Sequence, residues 1–92
     1  VSTRLLAGLE AADPRLRSAA AQVLGQAQVA DAVPALIEAV NDDDPQVRWS
    51  AVISLGRMGT DESRDALQAL LDDDDSTVAY YAQWALDRLG AG

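Results

Sequence analysis

Two runs of carboxylates, Asp42-Asp43-Asp44 and Asp72-Asp73-Asp74-Asp75, are where this chain gathers side chains that could do chemistry. Oxygen ligands this dense invite calcium. The runs lack the spaced Asp/Asn ligands, central Gly and closing Glu of a calcium-binding loop, so no metal is expected. Asp before a helix has another use: it caps free amides and favours the positive end of the helix dipole. The hydroxyls are Ser2, Thr3, Ser18, Ser50, Ser54, Thr60, Ser63, Ser76 and Thr77. The chain has no His, Cys or Lys, so the usual groups that would activate them are missing. No glycine-rich phosphate loop is present either. No catalytic residue and no cofactor are therefore expected, and a disulfide framework is excluded.

The aromatic residues are better placed to do something. There are four: Trp49, Tyr80, Tyr81 and Trp84. Trp49/Ile53 and Tyr80/Trp84 are i, i+4 pairs, adjacent on one stripe of a helix. Trp and Tyr are enriched at binding hot spots. A partner-binding patch of Trp49, Ile53, Tyr80, Tyr81 and Trp84 is expected, flanked by Ser18, Gln22, Ser50, Arg57 and Arg88. Replacing Trp49 and Trp84 with Ala should then leave folding intact. One competing reading makes the same aromatics a cap on the last helix or a seam between two copies, and another leaves them for a following repeat to cover. Arg17 and Arg48 each follow an Asp by four residues, and are expected to pair within a helix or with an adjacent loop, in a structural role.

The formal charge is −8, from 15 acidic residues against 7 Arg. Such a surface repels nucleic acid, whose phosphates are bound by displacing counterions with Lys and Arg. An apolar patch in an acidic frame would suit a protein partner with an aliphatic or basic segment. A salt-rich cytoplasm and a GC-rich genome both account for abundant Asp without Lys. No apolar run approaches the roughly 20 residues of a membrane span, and no signal-peptide pattern opens the chain, so a cytoplasmic location is expected. Val1 is not an initiator Met, which fits a trimmed chain or a piece of a longer one.

The elements that must position these residues repeat. Asp13-Pro14-Arg15-Leu16-Arg17 returns 31 residues later as Asp44-Pro45-Gln46-Val47-Arg48, and again, altered, as Asp75-Ser76-Thr77-Val78-Ala79. Leu24-Gly25, Leu55-Gly56 and Leu86-Asp87 keep the register, as do Leu5, Leu36 and Leu67. A fixed period of this size means a stack of units, each burying its apolar face on its neighbours. Apolar residues at i, i+3, i+4 and i+7 predict helices over about 2–10, 14–25, 32–41, 45–57, 62–72 and 76–89. Leu16, Ala20, Val23 and Leu24 are expected on one core stripe. Asp13 and Asp44 before Pro are helix starts, and Thr60-Asp61 should cap the next helix. Gly25, Gly56 and Gly59 are expected to close last turns in a left-handed conformation. Three units result, about 1–28, 29–59 and 60–92, forming a single domain.

The run Asp44-Pro45-Gln46-Val47-Arg48 through Ala51 to Leu55-Gly56, with its copies, resembles the short HEAT-like repeat of the phycobilisome-lyase type. The resemblance covers nearly the whole chain. It implies an all-α, right-handed solenoid of three helix pairs, with the second helix of each pair lining a concave binding surface. That leads to a non-catalytic protein-interaction or scaffold module. An accessory subunit or fragment of a bilin lyase or isomerase type is the alternative, and a self-associating structural array is a third. The missing His argues against the metal-dependent hydroxylases of the family, and the missing basic face against its DNA glycosylases. The third unit departs from the pattern: Ala79 stands where Arg17 and Arg48 stand, and Asp87 replaces Gly25 and Gly56. These departures fit a terminal unit.

Overall fold

The computed structural model describes residues 7–90. Five α-helices follow one another: α1 (Pro14–Gln26), α2 (Val33–Ala39), α3 (Pro45–Met58), α4 (Arg64–Ala69) and α5 (Ser76–Arg88). Short 3₁₀ turns, Ala30–Ala32, Asp61–Ser63 and Leu70–Asp72, extend α2 and α4. Among the described residues there is no strand. The helix expected over 2–10, with Leu5, Ser2 and Thr3, lies largely outside them.

The long helices start for local reasons. Asp13, Asp44 and Asp75 precede α1, α3 and α5 in nearly identical extended conformations, with φ of −84°, −89° and −89°. Each carboxylate accepts from the amide two residues on, at 2.9, 2.8 and 2.9 Å. Each such cap contributes about 1 kcal/mol. Pro14 and Pro45 follow at the first helical position, where a missing N–H costs nothing. The expected segments 32–41 and 62–72 are tighter at their ends than predicted. Pro34 has no amide to offer the first turn of α2, and i→i+3 bonds such as Ala32 N–H to Val29 O, 3.0 Å, close the turn instead. Thr60 does not cap the following turn through its side chain. Instead, Ser63 Oγ donates to the Thr60 carbonyl at 2.8 Å.

Packing is in two rows. α1 lies against α3 and α3 against α5, while α2 covers α3 and α4 covers α5. The core runs continuously through the stack, with Leu24, Leu36, Leu55 and Leu67 fully buried at its centre. Val47 and Val78 are buried, but their repeat equivalent Leu16 is 58% exposed. Val23 is also exposed, whereas its equivalents Ser54 and Ala85 are buried against the preceding helix. Among the described residues no long helix precedes α1, only the helical end at residues 7–8.

The glycines divide in a way the sequence reading missed. Gly59 closes α3 in the left-handed region, φ 66°. Gly25 and Gly56 are not caps: both sit inside helices and are buried. A Cβ on Gly25 would overlap the Ser54 side chain. One on Gly56 would come within 2.8 Å of the Trp84 ring and 2.9 Å of Ala85 Cβ. These positions let α3 approach α1, and α5 approach α3, closely. The left-handed closures fall instead at Gln28, Gly59 and Gly90, one per unit, at φ 56°, 66° and 75°.

Candidate functional site

Neighbouring units are joined along a seam whose register is set by two kinds of contact. The first is ionic. Arg17 grips Asp42 of the following unit with two bonds, Nε to Oδ2 at 2.8 Å and Nη2 to Oδ1 at 3.1 Å. Its Nη1 donates to the Ala11 and Ala12 carbonyls at 2.8 and 2.9 Å. Arg48 repeats the arrangement, with Nη2 to Asp73 at 3.1 Å and Nη1 to the Asp42 and Asp43 carbonyls. Of the two pairings expected for these arginines, the inter-unit one forms. Burial pushes the Asp42 carboxyl up, but Arg17 and the Asp44 amide outweigh it and hold the group below the usual carboxylate range.

This accounts for four of the seven carboxylates in the Asp runs. Asp42 and Asp73 accept from an arginine and from the amides of Asp44 and Asp75, while Asp44 and Asp75 cap helices. Among the described residues no group of three carboxylates is placed to hold a metal ion.

The second contact lies between the long helices. Ser18 Oγ and Ser50 Oγ share a hydrogen bond of 2.6 Å, and Gln22 Nε2 donates to Ser50 at 3.1 Å. Ser18 and Ser50 are buried at 1% and 0% exposure, so they are not the surface contacts expected of them. Each satisfies the other inside the α1–α3 seam. Ser54 Oγ likewise donates to the Ala21 carbonyl across that seam.

In the α3–α5 seam the same place is aromatic. Trp49 and Tyr81 stack with centroids 6.0 Å apart and planes at 25°. Tyr81 meets Trp84 edge to face at 6.1 Å, and Tyr80 meets Tyr81 edge to face at 5.2 Å. The Arg88 guanidinium lies 5.0 Å from the Trp84 ring centre, its Nε donating to the Gly56 carbonyl at 3.3 Å. Trp49, Tyr81 and Trp84 are half-buried and pack on the core. Tyr80 is 67% exposed. The aromatics thus join two helices as well as facing water. Replacing Trp49 and Trp84 with Ala therefore removes packing as well as exposed ring surface.

Beside Trp49 a cleft of about 200 Å³ opens between α1 and α3, lined by Gln22, Gln26, Trp49, Ile53, Ser54 and Arg57. Four of these were expected in the patch. Gln26 was missed, although the repeat points to it: it occupies the position of Arg57 and Arg88 in the first unit. The predicted acidic frame is absent on these helices. α1, α3 and α5 carry Arg15, Arg17, Arg48, Arg57 and Arg88 against a single acid, Asp87. The other carboxylates of the described residues lie on loops, caps, α2, α4 and their flanking turns.

A family model described as HEAT repeats matches residues 2–87. No curated protein matches the chain. Solved structures are similar to it, two among them at about 30% identity. One is human deoxyhypusine hydroxylase in complex with glycerol, 31% identical, with a TM-score of 0.89. The other is the complex of CpcE and CpcF of phycocyanin lyase from Nostoc sp. PCC7120, 30% identical, with a TM-score of 0.91. The matches cover 99% and 97% of this chain but only 32% and 37% of those proteins, so it spans about a third of either. Among the described residues, no helix is long and apolar enough to cross a membrane.

Proposed function

The chain belongs to the HEAT-repeat family, and from that premise we propose that it is a non-catalytic protein-interaction module binding along α1, α3 and α5. The observation that carries this reading is the joined set Trp49, Tyr81 and Trp84, half-buried in the seam, next to the cleft holding Ile53 and Arg57. Rigid aromatic rings held by packing lose little freedom when a partner covers them, so their burial goes largely into affinity. The absence of His, Cys and Lys supports a role without catalysis. The Nostoc match adds support, because that relative is a complex of two chains.

Site-specific photocrosslinking tests the reading. A benzophenone side chain in place of Gln26 or Tyr80, both exposed, should trap a specific protein in lysate. The same group at Pro34, exposed on α2, should not. Equal trapping at all three positions, or none, would remove the reading.

The Nostoc similarity favours a second reading, an accessory part of a bilin lyase type. A shifted bilin absorption band on mixing pigment with the chain would support it. An unchanged spectrum would count against it.

A further inference from the structure

We infer that the segment bound along α1, α3 and α5 is acidic and carries an apolar side chain, its carboxylates held by Arg57 and Arg88; this rests on the interaction-module reading above. The charge sorting carries the inference. The chain has a net charge of −8, yet its long helices hold five arginines and one acid. Three of those arginines are already neutralised: Arg15 by Asp13 at 3.0 Å, Arg17 by Asp42 at 2.8 Å and Arg48 by Asp73 at 3.1 Å. Arg57 and Arg88 make no carboxylate contact within 4.0 Å among the described residues. Asp87, beside Arg88 in sequence, instead accepts from Gln83 at 3.0 Å.

Arg57 and Arg88 stand one repeat apart, in the last turns of α3 and α5. A cation there also complements the helix dipole. That explains their charge but not their surroundings. Arg57 lines the cleft with Trp49 and Ile53. Arg88 is steadied on Trp84 and, among the described residues, donates only through Nε, which leaves both terminal nitrogens for an outside acceptor. A guanidinium fixed in this way is suited to a carboxylate. Axes of packed helices lie about 8–10 Å apart. An extended peptide advances about 3.3 Å per residue. Side chains two or four positions apart share one face of such a peptide, so carboxylates flanking an apolar residue on that face would meet both arginines, with the apolar residue directed at Ile53 and Trp49. The acids on the other elements do not forbid this, since screening at physiological salt acts over about 8 Å. A basic segment would meet the like charges of Arg57 in the cleft and of Arg88 on the neighbouring helix.

Random twelve-residue peptides displayed on phage, selected against the whole chain, test the inference. Enriched sequences should carry two carboxylates two to four residues apart around an apolar residue. The leading peptide, followed by Trp fluorescence, should bind at least about tenfold more weakly to Arg57→Gln/Arg88→Gln. It should also weaken between 50 and 300 mM KCl. Charge reversal, Arg57→Glu/Arg88→Glu, should shift selection to Lys-containing peptides. Both residues are exposed, so the variants should stay folded, with at most a small loss of Tm from the Arg88 contacts to Trp84 and the Gly56 carbonyl. Enrichment of neutral or basic peptides, or full binding by the Gln variant, overturns the inference. In that case loss of binding in Ile53→Ser or Gln26→Glu would leave the interaction-module reading standing. No enriched peptide, or binding indifferent to all four positions, overturns both. Tighter binding of a single-stranded 20-mer DNA than of any peptide also overturns both.

Discussion

Trp49 and Tyr81 stack 6.0 Å apart at the seam position that Ser18 and Ser50 occupy one unit earlier with a 2.6 Å hydrogen bond. Residues 18 and 49 are repeat equivalents, and so are 19 and 50, and 50 and 81. One register thus accepts two unlike joints, a small polar one between α1 and α3 and a large aromatic one between α3 and α5. Tyr80, the third-unit equivalent of Ser18 and Trp49, has no such joint among the described residues and is 67% exposed.

The polar joint depends on both of its members. Ser50→Ala leaves Ser18 Oγ and Gln22 Nε2 without their partner in a buried seam. A buried group deprived of its partner costs about 1–3 kcal/mol. Urea unfolding should show a loss in that range. Ser18→Ala/Ser50→Ala should lose less than the two single losses combined, because it removes the whole pair rather than orphaning one half.

Position 25/56/87 reports on helix spacing. Ala is a better helix former than Gly by about 1 kcal/mol, so an exposed helical Gly→Ala change would stabilise. Gly25→Ala should instead destabilise by about 1–3 kcal/mol, as overpacking does, because its Cβ meets Ser54 on α3. Gly56→Ala should behave similarly against Trp84 and Ala85. Asp87→Ala, at the exposed equivalent on α5, should stay within about 0.5 kcal/mol. Thermal melting resolves the difference, since 1 kcal/mol moves the Tm of a domain this size by about 4–8 °C.

What the sequence revealed follows from the range of each signal. Asp13-Pro14 and Asp44-Pro45 announce helix starts because capping is settled within three residues. The period and the Leu24, Leu55, Leu86 register exposed the stack. Gly25 and Gly56 were misread because a C-cap and a close helix approach both select Gly. Only the tertiary neighbours, Ser54 and Trp84, distinguish them. Gln28 takes a left-handed conformation that Gln does not advertise, though its equivalents Gly59 and Gly90 hint at it. Ser18 and Ser50 read as surface residues because their burial depends on each other, 32 positions apart. The Arg57 and Arg88 setting was hidden by the overall charge, which says nothing about how the acids are sorted among helices.

The aromatic joint should be worth more than its polar counterpart. Trp49→Ala loses half-buried ring area on the core and the stack with Tyr81, itself contributing about 0.5–1.5 kcal/mol. A loss of about 2–4 kcal/mol is expected, below or near the range for a fully buried Trp. Trp49→Phe should recover much of it. Tyr80→Ala should change stability little, since that ring is mostly in water. Denaturant midpoints for the three variants, measured at equal slope, decide this.

The Arg17–Asp42 pair should make stability depend on pH in one direction. Its carboxyl is held below the ordinary value by the Arg17 guanidinium and the Asp44 amide, despite burial. A group whose pKa is lowered on folding contributes its stability above the unfolded-state value, about 3.9. That contribution disappears as the pH falls through the lower, folded-state value. Asp42→Asn keeps an acceptor for the Asp44 amide but removes the charge facing a part-buried guanidinium. It should lose about 1.5–3 kcal/mol at pH 7, the range for hydrogen bonds to charged groups. The gap between parent and variant should narrow below about pH 4. Because both side chains are mostly buried, at 19% and 15% exposure, added salt should close the gap only slightly at pH 7. Equilibrium unfolding of both proteins between pH 2.5 and 7 checks the sign. A gap that stays constant across that range would mean the charge on Asp42 contributes nothing beyond its shape.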